Sequence, residues 1–538
     1  MTGKVLITGD GDCAGNAARE FSESGIETIV AAGSKRFGQN VDCCREGAAP
    51  VEIYQGAEIL TCTGCVNHFH VSMKVNGDQI STDVAAIVIT EAYDRKSNFD
   101  LYGLKPSSTV ISLSALSEKD ANGSGGKVQC KTGGETLFLT GLAQESNPVI
   151  LEEVMRKALM LQQKYDQQIV ILTGNLKVAG DGLEALYRKT REAGILTMKC
   201  NKTVPKLEQN PDGSVKVIVE DEIIREEVIL SPDLVVVDET LLPSESLESL
   251  ADIFELEKDD AGFLQSGNVH RNTVLTNRRG ILVVGAARGV MPQKDHAVDV
   301  VNAGLVLTGL LEGKTDDPVR KAEIGPFECA RCITCLRICP YKAIQLGKRV
   351  EVCADACQGC GICAAECPRT FITMTGPGIS EDLKKIRING VSGDSTDFTP
   401  DIVAFCCTRS AARSGRLALE MGGILPEGLK KVEVPCAGGV STDHILKAFL
   451  AGADGVLLLT CHNGNCHSDS GNVYAKSRVE NVSERLPMMG FEKERIMVRT
   501  IASNMGREFI EITKGFEKVL RDLGPGKIRK NMKSGQGR

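Results

Sequence analysis

Two short runs carry most of the chemistry that can be read from this chain. "CARCITCLRICP" begins at Cys329 and "CQGCGICAAECP" at Cys357. Each reads C-x2-C-x2-C-x3-C-P. Thiolates in this order suit iron–sulfur chemistry: three close around one cube, and the fourth, just ahead of proline, ligates the other. The spacing assigns Cys329, Cys332, Cys335 and Cys367 to one [4Fe–4S] cluster. It assigns Cys357, Cys360, Cys363 and Cys339 to a second. Pro340 and Pro368 set the chain direction after each fourth ligand. Gly359, Gly361 and Ala364 are small enough for backbone N–H groups to approach the sulfides. Zinc is the competing chemistry, but zinc sites use separated cysteine pairs rather than eight interlocked residues. Cys353 is left over as a loop cysteine.

A second set lies near the C-terminus. "DIVAFCC", "KKVEVPC" and "DGVLLLTC" are short apolar runs, each ending in cysteine. If they are strands of a parallel sheet built from βαβ units, their carboxyl ends share one rim, where ligand sites form. Cys407, Cys436 and Cys461 then converge, and Cys466 in "CHNGNCH" completes four. Four thiolates at one rim suit a [2Fe–2S] cluster, and the glycine of "NGN" permits a tight loop. Chance convergence of buried cysteines is the bland alternative. Cys406 stands as a substitute ligand, and His462 and His467 as minor ones.

Elements that could hold a dinucleotide come first in the chain. "KVLITGDGDCAGNAAREFSESGIETIVAA" reads strand, glycine turn, helix, strand, with Gly9, Gly11 and Ala14 in a G-x-G-x-x-A turn. Such a turn aims helix N–H groups at a diphosphate. The acidic residue expected at the end of the second strand is absent; Ala31 and Ala32 stand there. "ILVVGAARGVMPQKD" supplies a later strand, a turn at Gly285 and a helix from about Asp295. Together they suggest an FAD site, against the alternative of a fold that kept its shape without a ligand. Cys62 and Cys65 in "CTGC" read as free or packing thiols, or with Cys43 and Cys44 as an additional cluster. His68 and His70, on a strand, read as surface or core residues. No catalytic residue is assigned.

The 538 residues suggest about three domains. Hydrophobic residues are 42% and charged residues 25%, as in globular proteins. A net charge of −7, 4% aromatics and no Trp argue against nucleic acid as a partner. No apolar run reaches the roughly 18 residues of a membrane span. The N-terminus lacks a signal-peptide core, so a cytoplasmic location is expected, with membrane contact only through a partner. The 21 cysteines are then reduced ligands rather than disulfides. Composition divides the chain at 1–316, a cysteine-dense 317–375, a linker at 376–399, a βαβ segment at 400–525 and a basic tail at 526–538.

The twin motif is that of bacterial-type ferredoxins. With "EILTCTGCVNHFHVSMKVNGDQISTDVAAIVITEAYD", "GNLKVAGDGLEALYRKTREAGILTMKC" and "GILVVGAARGVMPQKD", it makes most of residues 1–375 resemble the A subunit of heterodisulfide reductase. The B subunit of the quinone-interacting membrane-bound oxidoreductase complex is the related form. Residues 400–525, through "FCC", "VPCAGGV", "GADGVLLLTCHNGNCH" and "GNVYAKSRVE", resemble the delta subunit of methyl-viologen-reducing hydrogenase. The resemblance implies an α/β multidomain protein: a Rossmann-type two-dinucleotide-binding flavoprotein fold, a 2×[4Fe–4S] ferredoxin insert and a small parallel α/β domain. It implies an oxidoreductase subunit of anaerobic metabolism that passes electrons between the clusters and FAD. Its partners would be other redox subunits: heterodisulfide-reductase-like, hydrogenase, dehydrogenase or quinone-linked. Thr90, Glu91 and Ala92 replace the family's Ala-Thr-Gly, Ser410 stands where a further cysteine is common, and after Cys130 the family's additional cluster motif is missing. A stand-alone flavin oxidoreductase and a cluster-bearing scaffold are the alternatives; the first needs a nicotinamide turn, and none is evident between residues 160 and 200.

Overall fold

The computed structural model describes residues 3–529 except 34–46, 117–131, 143, 201–204, 221–225, 265–267, 269–272, 313–319, 326–328, 377 and 387–397. Cys43, Cys44 and Cys130 lie outside the described residues, as do half of the linker and residues 530–538.

The first sheet is parallel, in the order Ile281–Val283, Ala86–Ile89, Val5–Thr8, Thr28–Ala32, Val51–Gln55. Its central strands are unbroken apolar runs because both faces are covered. Helices Asp12–Glu23 and Gln293–Leu311 cover one face through Ala14, Ala17, Phe21, Ala303 and Leu307. The other face packs on an antiparallel meander of Ala57–Cys65, His68–Val75 and Asp78–Val84. A second parallel sheet runs Leu196–Lys199, Gln168–Thr173, Glu135–Thr140, Leu234–Val237, Val110–Ser112. The antiparallel pair Tyr93–Ser97 and Glu239–Pro243 joins the two units.

In the second unit the strand–turn–helix starts ahead of residues 160–200. After strand Glu135–Thr140, the turn at Gly141 leads to helix Pro148–Tyr165, capped by the Asn147 side chain. The turn was missed because "TGLAQESN" contains one glycine where the fingerprint expects several.

In the cysteine-dense module, short helices Thr334–Ile338 and Ile362–Ala365 each carry the third cysteine of a motif and end before the fourth. Two small antiparallel ribbons flank them, Ala322–Ile324 with Ile372–Met374 and Ile344–Leu346 with Val350–Val352. The C-terminal domain is a parallel sheet in the order Leu429–Val434, Ile402–Cys407, Gly455–Thr460, Ile496–Thr500. The last of these adds a strand to the three expected.

Two boundaries move. Helix Ile379–Lys385 lies inside the expected linker, and its Ile379 and Leu383 are buried in the C-terminal core. The expected tail begins by docking: Arg529 is buried and pairs with Asp401 (3.2 Å) and Asp454 of its own domain. Composition alone could not see either, because the apolar or acidic partners lie far away in sequence.

Candidate iron–sulfur and dinucleotide sites

The three C-terminal cysteine runs are strands, and their carboxyl ends share a rim. Cys407 ends its strand; Cys436 and Cys461 follow theirs by two and one residues. Gly464, with φ of +71°, turns the loop that returns Cys466 to the group. All four are 5% exposed or less. The Cys407 and Cys461 sulfurs are 3.8 Å apart. The four thiols share hydrogen bonds. Those from Cys466 to Cys436, and from Cys407 and Cys466 to Cys461, hold the acceptors' pKa values down and push the donors' up.

Cys406 faces the other way. Strand alternation turns it into the pocket of Ile402, Ala404, Ala411 and Phe509, and its sulfur approaches the Ala404 carbonyl at 3.6 Å. It does not join the rim group. Ser410 does: its hydroxyl lies 3.5 Å from the Cys461 sulfur. The ring of His462 contacts the Met505 sulfur at 3.4 Å.

In the cysteine-dense module Cys329, Cys332, Cys335 and Cys367 line one cavity. The fourth cysteine of the second motif thus joins the first three of the first. Cys339 in turn lies close enough to Cys357, Cys360 and Cys363 for their charges to interact. Backbone N–H groups reach two of these sulfurs, Ala322 to Cys357 and Ala343 to Cys339, both at 3.4 Å. Burial pushes Cys363 up to about 12 and Cys360 well above the ordinary thiol range. A cationic metal group held by these thiols would offset such a burial penalty, and binding it would displace their protons. Among the described residues no three His, Cys, Asp or Glu side chains are gathered as for a single metal ion.

The two cysteine-rich regions touch. A Cβ on Gly439, three residues after Cys436, would lie 2.5 Å from the Cys360 carbonyl oxygen and 3.2 Å from Gly361 Cα. Only glycine lets these two backbones meet. The Tyr341 hydroxyl bonds across the same seam to Ser468 (3.0 Å) and the His467 carbonyl (3.3 Å). Arg478 reaches Glu366 and the carbonyls of Gly438 (3.2 Å) and Val440. A cleft of about 850 Å³ opens beside the seam, lined by Cys360, Cys367, Cys436, Arg320 and His444.

In the first dinucleotide fold, a crevice of about 520 Å³ lies outside the carboxyl ends of Val5–Thr8 and Ala86–Ile89. Asp10, Gly33, Glu58, Glu91, Asp94 and Ser246 are among its lining residues. Of the residues expected to face a cofactor, Gly9 has φ of +119° and packs on Thr90, and Gly11 caps helix Asp12–Glu23. Ala14 is buried beneath the turn. Gly285 (φ of +61°) packs against Cys13, and Asp295 sits in the first turn of Gln293–Leu311. Asp299, missed in the sequence, binds this turn: its carboxylate accepts from Gly285 N (3.0 Å) and Arg288 Nε (2.9 Å).

An FAD fits this crevice on two observations. Space ahead of Gly11 is open, since a Cβ there would meet only Ala92 at 3.9 Å. The carboxylate missing from the second strand is supplied in space by Asp10, whose Oδ2 lies 4.0 Å from where a Gly33 Cβ would be. Glu91 lines the same crevice. Burial first, and then the Asp10 charge, raise its pKa, while the Ser246 hydroxyl (3.0 Å) opposes the shift.

The second fold's turn is engaged differently. Gly141 N, placed where a dinucleotide diphosphate would be held, donates to Asp238 Oδ2 at 2.7 Å. Asn98 and Tyr102 hold the other oxygen of that carboxylate.

Cys65 and Cys353 form a disulfide, 288 residues apart. This corrects their reading as a packing thiol and a loop cysteine; no local spacing could pair them. Cys62 is an unpaired thiol that burial pushes up to about 11. His70 is on the surface, its ring 2.8 Å from Asp83.

Two units with Rossmann-like parallel sheets, a twin-motif cysteine module and a thiol-rimmed parallel domain define a multidomain α/β protein. Residues 402–524 match the family model described as "Methyl-viologen-reducing hydrogenase, delta subunit". Over 136 residues the chain is 33% identical to the iron-sulfur D subunit of the F(420)-non-reducing hydrogenase of Archaeoglobus profundus, covering 25% of this chain and 99% of that protein. Through this domain the chain belongs to the hydrogenase delta-subunit family. Over 470 residues, 83% of its length, it is 24% identical to the A subunit of the ferredoxin/F(420)H(2)-dependent CoB-CoM heterodisulfide reductase of Methanosarcina acetivorans. It spans 58% of the length of that relative. A thioredoxin reductase of T. acidophilum, 13% identical, superposes with a TM-score of 0.39 over 58% of this chain and 98% of that one. No helix among the described residues is long and apolar enough to cross a membrane.

Proposed function

We propose that the chain is an iron–sulfur flavoprotein subunit of an oxidoreductase, relaying electrons within a heterodisulfide-reductase-like or quinone-linked complex in the cytoplasm. Cys407, Cys436, Cys461 and Cys466 would hold a [2Fe–2S] cluster. Cys357, Cys360, Cys363 and Cys339 would hold one [4Fe–4S] cluster, and Cys329, Cys332, Cys335 and Cys367 the other. The observation that carries this reading is the glycine seam, where the loop of Cys436 meets the loop of Cys360. Cys329 and Cys332 are exposed, an outlet toward a partner subunit. The relatives' names, subunits of heterodisulfide reductase and of hydrogenase, indicate the partner class.

FAD, when bound, exchanges electron pairs for single electrons. The chain's own part is to place the N-terminus of Asp12–Glu23 and the Asp10 carboxylate at the crevice. Glu91 titrates beside the expected diphosphate. With its pKa raised it is neutral below that value and anionic above it, so FAD retention should weaken as pH rises through the transition. Glu91→Gln should flatten that dependence, measured by flavin fluorescence across a pH series. Equal pH dependence in both proteins would remove Glu91 from the site.

The stand-alone oxidoreductase reading is disfavoured by Asp238, which takes the N–H that a nicotinamide dinucleotide would need. The relay is tested by anaerobic purification and stepwise reduction. About ten irons per chain are expected, with separate two-iron and four-iron electron paramagnetic resonance (EPR) signals. Zinc in place of iron would end the relay reading. Gly439→Leu should leave the iron content unchanged and slow electron exchange between the two-iron and four-iron centres, because its side chain must push the Cys436 and Cys360 loops apart.

A further inference from the structure

Cys65 closes a hairpin strand of the first dinucleotide fold, and Cys353 follows the ribbon strand Val350–Val352 of the ferredoxin-type module. We infer that Cys65 and Cys353 form a redox-active dithiol/disulfide, an electron-pair site beside the four-iron ligands Cys339 and Cys357. The inference rests on the four-iron reading proposed above.

Position is the first argument. The Cys353 carbonyl accepts from Cys357 N at 3.0 Å, and Cys353 N donates to the Ala343 carbonyl at 2.8 Å. Ala343 N in turn donates to the Cys339 sulfur at 3.4 Å. The pair is thus one hydrogen bond from the backbone of Cys357 and two from the Cys339 sulfur, both of the same four-iron set. No ligand of that set is consumed by it.

Reversibility is the second. Both residues are half-buried rather than sealed, so protons can enter and leave. Other bonds hold the junction when the sulfurs part. Asn67 donates to Asp355 Oδ2 at 2.9 Å, Arg279 to the Asp355 carbonyl at 2.6 Å, and Lys342 pairs with Glu255 at 3.6 Å. Thiols kept side by side in this way re-form their bond as an intramolecular event. Cys62 does not compete: at about 11 its pKa leaves it a thiol near neutrality, and the thiolate is the attacking species. A chain that must keep twelve other cysteines as thiolates works under reducing conditions, where a disulfide is more often redox-active than structural.

The step balances within the molecule. Two S–H bonds break and one S–S bond forms between Cys65 and Cys353. Two protons pass to water. The two electrons would leave singly, one to each of the two oxidised [4Fe–4S] clusters that the cysteine sets would hold. Reduction runs the same step in reverse.

The test uses the cluster-loaded chain, titrated anaerobically with dithionite and sampled by rapid alkylation and peptide mass spectrometry. The oxidised wild type should yield a linked Cys65–Cys353 peptide, and the fully reduced protein both cysteines alkylated. Cys353→Ser and Cys65→Ser should keep full iron content and take up two electrons fewer per chain than the wild type. Full iron with both cysteines alkylated in the oxidised wild type overturns the inference and leaves the relay standing. Full iron with equal electron uptake in all three proteins does the same. An iron-free chain overturns both. The wild-type alkylation pattern decides the matter even where a variant fails to fold.

Discussion

Cys407→Ser is expected to abolish the two-iron EPR signal and remove about two of ten irons per chain, while its neighbour Cys406→Ser leaves both unchanged. The two residues are adjacent on one buried strand, so their opposite outcomes test the geometry rather than the composition. Successive side chains of a strand point to opposite faces. Cys407 points to the rim, where its sulfur meets Cys461 at 3.8 Å. Cys406 points into an apolar pocket beneath helices Ala411–Glu420 and Gly506–Leu523. A hydroxyl there costs stability, on the order of 1 kcal/mol, without touching the site. Loss of the signal in Cys406→Ser would mean that the strand register is wrong. A wild-type signal in Cys407→Ser would mean that the four rim sulfurs do not act as one ligand set.

The second large effect lies far from any cofactor. Arg529→Ala should destabilise the C-terminal domain by about 3–5 kcal/mol, because removing one partner leaves buried charge uncompensated. Asp401 and Asp454 are both fully buried, and Arg529 stands between them at 7% exposure. Asp454 also accepts from the backbone of Asp401 (2.9 Å) and of Gly526 (2.8 Å), so this cluster ties the chain's last described turn to the start of the domain. For a domain of this size the melting midpoint should fall by on the order of 10 °C or more, read by circular dichroism or calorimetry. Truncation before residue 526 should do the same. A melting curve unchanged in both would show that the arginine is solvated in solution.

Much of the site was legible because its signal is local. Each twin motif places three thiolates within seven residues, and the interlocked fourth follows from the cysteine before proline; the cavity lined by Cys329, Cys332, Cys335 and Cys367 matches that order. The C-terminal group was legible for a different reason. Parallel strands have one direction, so three strands that end in cysteine must bring those cysteines to one rim. The same logic left Cys406 open, because a sequence does not say at which residue the strand's final turn begins.

What escaped the sequence depended on distance along the chain. The strand–turn–helix at Gly141 was hidden by its single glycine, and the parallel sheet around it overrode that weak local signal. Asp10 takes the place of an acid sought on the second strand, since the crevice asks for a carboxylate in space and not at a position. Helix Ile379–Lys385 and Arg529 read as linker and tail because a charged, glycine-containing segment looks solvated until its buried partners are known.

The sequence by itself determined the chemistry: eight thiolates in an interlocked order, four more at strand ends, and a glycine turn opening a helix. Spacing suffices there, since the cysteines of each set follow from short loops and strand direction. Only the tertiary structure decided how these parts meet. Gly439 against Cys360, Asp238 on the Gly141 amide and Cys65 bonded to Cys353 join residues 79, 97 and 288 positions apart. Packing of separately folded layers sets such contacts, and no local pattern of residues encodes them.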